Sequence, residues 1–128
     1  MTTSHQVFRY QDQLVMTIMT ELDASSLWID RKHTALGKYF GYVPDIKEPA
    51  RQQFQRMNNI LSDQLLKSKG PFLMGTQFTA ADILYGQCLD LSLLIGWEDV
   101  LQSESLDAYT KAYRKRPAYM EAKKLRSL

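Results

Sequence analysis

One cysteine, six glycines and four prolines stand in a chain of 128 residues, and each scarcity removes a class of protein. A lone thiol, Cys88, cannot form an internal bridge, so a secreted disulfide scaffold is excluded. The few glycines spell no GxSxG, GxxxxGK[ST] or GxGxxG, which leaves neither a nucleophile elbow nor a phosphate cradle. No HExxH or CxxC occurs, and His5 and His33 stand too far apart for a local pair, so no metal site is expected. Charge of one sign is also scarce: 16 Lys and Arg face 14 Asp and Glu, a net charge of +2 that gives no general case for nucleic acid or an anionic bilayer. The longest apolar tract, Ile83 to Trp97, contains Asp90 and falls short of a bilayer span. Met1-Thr2-Thr3-Ser4-His5-Gln6 has neither the basic start nor the apolar run of a signal peptide, and Thr2 rules out myristoylation. A cytoplasmic protein is therefore expected, with no membrane and no nucleic-acid partner.

What is present is enough for one globular domain over residues 1–128, 45% hydrophobic and able to bury about two thirds of its unfolded surface without a staple. Period-two alternation, repeats and low-complexity stretches are missing, so the predicted fold is all-helical, with about five helices. From Phe8 to Leu36 no Gly or Pro interrupts a stripe of Leu14, Val15, Ile18, Met19, Leu22 and Ile29. This spacing predicts one long amphipathic helix, bent near Asp23-Ala24-Ser25-Ser26, where polar side chains compete for the backbone. Gly37 to Asp45 reads as a loop whose aromatics Tyr39, Phe40 and Tyr42 fold back onto the core. A second helix is expected to start between Asp45 and Pro49, with Asp45 or a neighbour as N-cap. Its stripe is Ala50, Phe54, Met57, Leu61 and Leu65, and Gly70-Pro71 ends it.

The segment Phe78-Thr79-Ala80-Ala81-Asp82-Ile83 is the most informative. Thr79 stands at an N-cap position and Asp82 at N3, where its carboxylate can reach back to the Thr79 amide. Phe78 at N′ and Ile83 at N4 are placed for a hydrophobic staple. From Thr79 to Ile95 the charges are Asp82 and Asp90 alone, so this helix is read as central, with Gly86 admitting close approach of a neighbour. Ser103 or Ser105 caps a shorter helix carrying Leu106, Tyr109 and Tyr113, and Pro117 begins a last one.

Few side chains invite chemistry. Cys88, with no cation within one helical turn to stabilise a thiolate, reads as core. Residues 111–128 hold seven basic residues and one acid; that patch is either a solvated face helped by helix dipoles or a contact for an acidic partner or RNA. Tyr109 and Tyr113 read as core packing in preference to a base-stacking platform. Met16 and Met19 are ordinary core candidates, although methionine also lines adaptable clefts.

Phe72-Leu73-Met74-Gly75-Thr76-Gln77-Phe78-Thr79-Ala80-Ala81-Asp82 resembles the stretch that opens the core helix in the C-terminal domain of cytosolic glutathione transferases. Ala112-Tyr113-Arg114-Lys115-Arg116-Pro117-Ala118-Tyr119 is similar to the Arg-Pro junction before that domain's final helix. The order of elements also fits, over about residues 7–126. The resemblance implies a glutathione-transferase C-terminal-like helical bundle in which Phe78, Thr79, Asp82 and Ile83 are structural. It implies that the first helix faces a cleft for the hydrophobic co-substrate, with Met16, Met19, Thr20 and Asp23 as candidate substrate-binding residues. Thr20-Glu21-Leu22-Asp23-Ala24 resembles the Thr-Glu-Leu segment of bacterial beta-class members, which continue with His-Lys where Asp23 and Ala24 stand here.

In the family, a thioredoxin-like N-terminal domain carries the thiol-activating residue and the γ-glutamyl site. Neither is recognisable in these 128 residues, so that domain is expected to be absent from the chain, with no catalytic residue and no cofactor held by this domain alone. Glutathione and a small hydrophobic electrophile are the parent reaction's substrates by the same resemblance. The implied function is the electrophile-side domain of a bacterial-type glutathione S-transferase, partnered by a second copy or by the missing domain. The alternative is a free-standing helical interaction module without catalysis.

Overall fold

A computed structural model describes residues 4–126; Met1-Thr2-Thr3, read above as carrying no address, lie outside them. Polar side chains shape the first helix. It begins as α1 (Ser4–Thr17), passes without a break into a π-helix (Ile18–Leu27) and ends as α2 (Trp28–His33). The π stretch covers the segment where the bend is expected, and polar groups bond the backbone along it. The Ser25 hydroxyl donates to the Thr20 carbonyl five residues back at 2.8 Å, Thr20 donates to the Met16 carbonyl at 2.7 Å, and the Trp28 amide donates to the Asp23 carbonyl. The buried line Leu14, Ile18, Leu22, Leu27 accordingly takes a five-residue step after Leu22, as a wider helix requires. Met16 and Met19 fall off that line and are 60% and 51% exposed, so their reading as core residues is corrected.

The next correction concerns the loop. It holds one turn of helix, α3 (Gly37–Phe40), and a 3-10 turn (Pro44–Ile46), but Tyr39, Phe40 and Tyr42 are half or more exposed. The loop is closed by its backbone instead: the Val43 amide donates to the His33 carbonyl at 3.2 Å and His33 Nδ1 lies 3.0 Å from the Gly41 carbonyl. Their rings then rest on local neighbours, Phe40 edge-on to Trp28 at 6.0 Å with Lys32 over its face at 5.4 Å.

Asp45 sits inside the 3-10 turn, and α4 (Lys47–Lys67) starts after Ile46 with no side-chain cap, Pro49 lying in its first turn. The helix buries Ala50, Phe54, Asn58, Leu61 and Leu65 along the π-helix; Met57 is only partly buried. It stops at Lys67, and Lys69 takes a left-handed φ of 57°. A Cβ on Gly70 would lie 2.4 Å from the Gly75 carbonyl carbon, which is why the turn demands glycine there.

After the reverse turn at Phe72–Gly75, α5 (Ala80–Leu94) runs through the bundle with Ala81, Asp82, Tyr85, Gly86, Cys88, Leu89 and Ser92 buried. The expected close approach at Gly86 is a ring: an added Cβ would meet Tyr113 at 3.3 Å. A 3-10 turn (Glu98–Leu101) leads to α6 (Glu104–Arg114), and α7 (Pro117–Arg126) follows with Pro117 at its first position. Ser103 caps α6, accepting the Leu106 amide at 3.1 Å. Ser103→Ala is therefore expected to lower the unfolding free energy by about 1 kcal/mol in a urea titration, and Ser105→Ala by less. Among the described residues there is no strand, and no helix is long and apolar enough to cross a membrane. The architecture is all-α, as the sequence predicts.

Candidate functional site

Two carboxylates organise the interior. Asp82, 1% exposed, accepts the Leu73 amide at 3.0 Å and the Tyr109 hydroxyl at 2.8 Å on Oδ1, and the Thr79 amide at 2.9 Å on Oδ2. It thus joins the entry turn, the start of α5 and the middle of α6. Asp90, two turns along α5, accepts from the Tyr113 hydroxyl at 3.0 Å, the Arg114 guanidinium at 2.7 Å and the Tyr119 hydroxyl at 2.9 Å. Between them runs a ladder of rings, Tyr85 to Tyr109 at 5.4 Å, Tyr109 to Tyr113 at 5.3 Å and Tyr113 to Tyr119 at 5.5 Å. Burial, then the adjacent carboxylates, push the phenols of Tyr109 and Tyr113 far up. These rings are spent on packing, so a base-stacking role has no free face at Tyr109 or Tyr113.

Phe78 and Ile83 depart from the simple staple. The Phe78 ring meets Phe72 edge-on at 5.2 Å and carries the Arg116 guanidinium over its face at 3.8 Å, while Ile83 is 58% exposed. Arg116 lies 38 positions from Phe78 in sequence, beyond any local rule.

The first helix and α5 meet at a small cavity of about 50 Å³, lined by Ile18, Met19, Asp23, Arg31, Leu84, Gln87, Cys88 and Leu91. Two of the four candidate substrate contacts, Met19 and Asp23, are brought together here. Met16 and Thr20 are exposed outside that lining, and the Thr20 hydroxyl is occupied by the Met16 carbonyl. Asp23 is paired within the chain: the Arg31 guanidinium lies 3.7 Å from it. Sequence spacing missed it because the π stretch shifts the register between residues 23 and 31. Asp23 Oδ1 faces the Arg31 guanidinium as an ion pair, and neither it nor Arg31 Nε has a hydrogen-bond partner among the described residues.

The Cys88 thiol beside them is pushed up to about 12 by its burial and by Asp23, with Arg31 opposing. At neutral pH it is a protonated core thiol and a poor nucleophile. Among the described residues no three His, Cys, Asp or Glu side chains gather to hold a metal ion.

A family model described as glutathione S-transferase, C-terminal domain, matches residues 32–122. The chain belongs to this family. No curated protein matches it, and no solved structure matches it. In this glutathione S-transferase C-terminal domain the matched stretch contains Phe78, Thr79, Asp82, Ile83 and the whole tyrosine ladder. Met16, Met19, Thr20 and Asp23 precede it.

Proposed function

We propose that these residues form the electrophile-side domain of a glutathione S-transferase, in which a thioredoxin-like partner outside the chain ionises the glutathione thiol. The observation that carries the reading is the open face where the π-helix meets α5. Met16 and Met19, beside and on the π-helix, are each more than half exposed, and a covering partner would bury them. Beneath them the Asp23 and Arg31 pair offers a charged acceptor and donor to a polar substrate edge. Thiol activation by this chain has no support, because a nucleophilic sulfur needs a donor aimed at it and Cys88 is held protonated. The cover is the thioredoxin-like domain or a second copy of the chain.

Calorimetric titration of glutathione into the chain tests this division. No heat of binding is expected, and turnover of 1-chloro-2,4-dinitrobenzene with glutathione is expected at the uncatalysed rate. Measurable glutathione affinity would sink the claim that activation lies elsewhere.

A second reading, a helical interaction module without catalysis, is favoured by the exposed rings of Tyr39 and Tyr42, 74% and 69% exposed. Self-association measured by sedimentation, abolished by Tyr39→Ser with Tyr42→Ser and untouched by Met19→Ser, would move the conclusion to that reading.

A further inference from the structure

We propose that the connection between the first helix and α4 is a docking surface for an anionic lipid bilayer, its aromatic rings entering at the headgroup level while its lysines meet lipid phosphates and carboxylates. Tyr39, Phe40, Tyr42 and Val43 are 74%, 50%, 69% and 40% exposed, four large side chains with apolar bodies within five residues. A contiguous exposed cluster of this kind marks an interaction surface.

The rings are held outward by the fold. The Tyr42 ring lies over Gly37, where an added Cβ would run into it, and Phe40 stands edge-on to the half-buried Trp28. Beneath them the Gly41 amide donates to the Gly37 carbonyl at 2.8 Å, and the Val43 amide ties the strand of loop to His33. Rings fixed in this way lose little conformational freedom when a partner covers them.

Charge selects the partner. From Arg31 to Pro44 the sequence has Arg31, Lys32 and Lys38 and no Asp or Glu, while the whole chain carries only +2. The flanking acids are Asp30 and Asp45, and Asp30 is buried with Lys47 at 3.4 Å from its carboxylate. Lys32 lies over the Phe40 ring at 5.4 Å and Lys38 over the Tyr39 ring at 5.6 Å. Neither lysine has an ion pair among the described residues, so two unneutralised ammonium groups border the exposed rings. Aromatic side chains with a wet end, edged by lysines that reach phosphate, suit the boundary between headgroup and acyl chain. A nucleic acid fits less well, because the lysines occupy ring faces on which a base would stack. Among the described residues no helix is long and apolar enough to cross a membrane, so the contact is with the bilayer surface. The patch starts at Trp28, about two turns beyond Met19 on the first helix, and leaves the face assigned to the thioredoxin-like domain free.

Cosedimentation with lipid vesicles tests the proposal. The chain is expected to bind vesicles of phosphatidylcholine with about one quarter phosphatidylserine, and pure phosphatidylcholine about tenfold more weakly or less, since each Lys or Arg near an anionic surface contributes about fivefold. Lys32→Gln with Lys38→Gln is expected to weaken binding to the mixed vesicles by about tenfold or more. Tyr39→Ser with Tyr42→Ser is expected to do the same by removing the rings that enter. Lys123→Gln with Lys124→Gln, on the basic α7, is expected to change the affinity by less than about threefold. Tyr39→Trp reports depth: its emission is expected to shift to the blue on mixed vesicles and to be quenched by lipids brominated in the acyl chain. Circular dichroism establishes that each variant is folded, and the lysine pair stands alone if the tyrosine pair is not. Absence of vesicle binding, equal binding to both vesicles, or a loss confined to the α7 variant would overturn the proposal. So would Tyr39→Trp emission that mixed vesicles leave unmoved. Self-association through the same rings without lipid, or a single-stranded oligonucleotide bound more tightly than the mixed vesicles, would overturn it in favour of another partner.

Discussion

Asp82→Ala is expected to lower the unfolding free energy by about 3–5 kcal/mol, which is a large share of the roughly 5–15 kcal/mol a domain possesses. A cap alone is worth about 1 kcal/mol, and the excess comes from burial. The carboxylate is 1% exposed, and its three closest donors are the Leu73 and Thr79 amides and the Tyr109 hydroxyl, with the Thr79 hydroxyl farther off at 3.4 Å. Alanine leaves all three where water reaches poorly, and each abandoned buried donor costs about 1–3 kcal/mol. The helix start, the turn before it and α6 lose their common tie together, so the urea midpoint falls steeply. Tyr109→Phe removes one donor and is expected to cost about 1 kcal/mol. In the Asp82→Ala background the same change should be nearly free, because the hydroxyl it deletes has lost its carboxylate acceptor and keeps only the residue 82 carbonyl at 3.5 Å. A midpoint shift of Asp82→Ala no larger than that of Ser103→Ala would show that Asp82 is only a cap and not a junction.

The box at residues 79–82 was readable because its partners lie three residues apart and the chemistry of a helix start is local. What the same residues reach for was not. Tyr109 finds Asp82 across 27 positions, and Phe78 finds Arg116 across 38. In the sequence Asp90 is only a charge interrupting an apolar tract; folded, it is the common acceptor of two tyrosines and an arginine. Asn58 shows the same limit on α4. It occupies the buried line between Phe54 and Leu61 and accepts the hydroxyl of Tyr85, yet an apolar-stripe count passes over a polar residue and takes Met57 beside it. The first helix failed differently. Asp23-Ala24-Ser25-Ser26 marks the irregular segment, but a pattern of period 3.6 cannot follow ten residues that turn with a wider period, so it points Met16 and Met19 inward and does not connect Arg31 with Asp23. The sequence thus places the candidate residues on one helix, and only the fold shows what stands beside them.

Alkaline pH is expected to unfold the domain cooperatively between about pH 10 and 11 through its tyrosine ladder. Tyr85, Tyr109 and Tyr113 are 0%, 1% and 3% exposed, and burial holds all three phenols above their usual 10.0. Burial likewise raises the Cys88 thiol from 9.0 to about 12. A group whose folded pKa is raised stabilises the fold below its unfolded pKa and loses that stabilisation as pH climbs toward the folded one. The unfolded chain sheds these protons first, so unfolding is favoured by about 1.4 kcal/mol per group for each pH unit above its unfolded pKa. At pH 11 the three phenols together withdraw about 4 kcal/mol and the thiol about 3 kcal/mol more, comparable with the whole stability of a domain. The loss begins near pH 9 with Cys88 and steepens at pH 10 with the phenols. Urea titrations at intervals from pH 8 to 11 measure the slope, and absorbance at 295 nm follows ionisation. Tyrosinate from the ladder should rise in step with loss of the circular-dichroism signal, because these phenols ionise by being released. Cys88→Ala should delay the onset from pH 9 to pH 10 and leave the steeper limb intact. An unfolding free energy equal at pH 8.5 and 10.5 would contradict the ladder as described, since it would mean that the phenols ionise in place and that their burial carries no energetic weight.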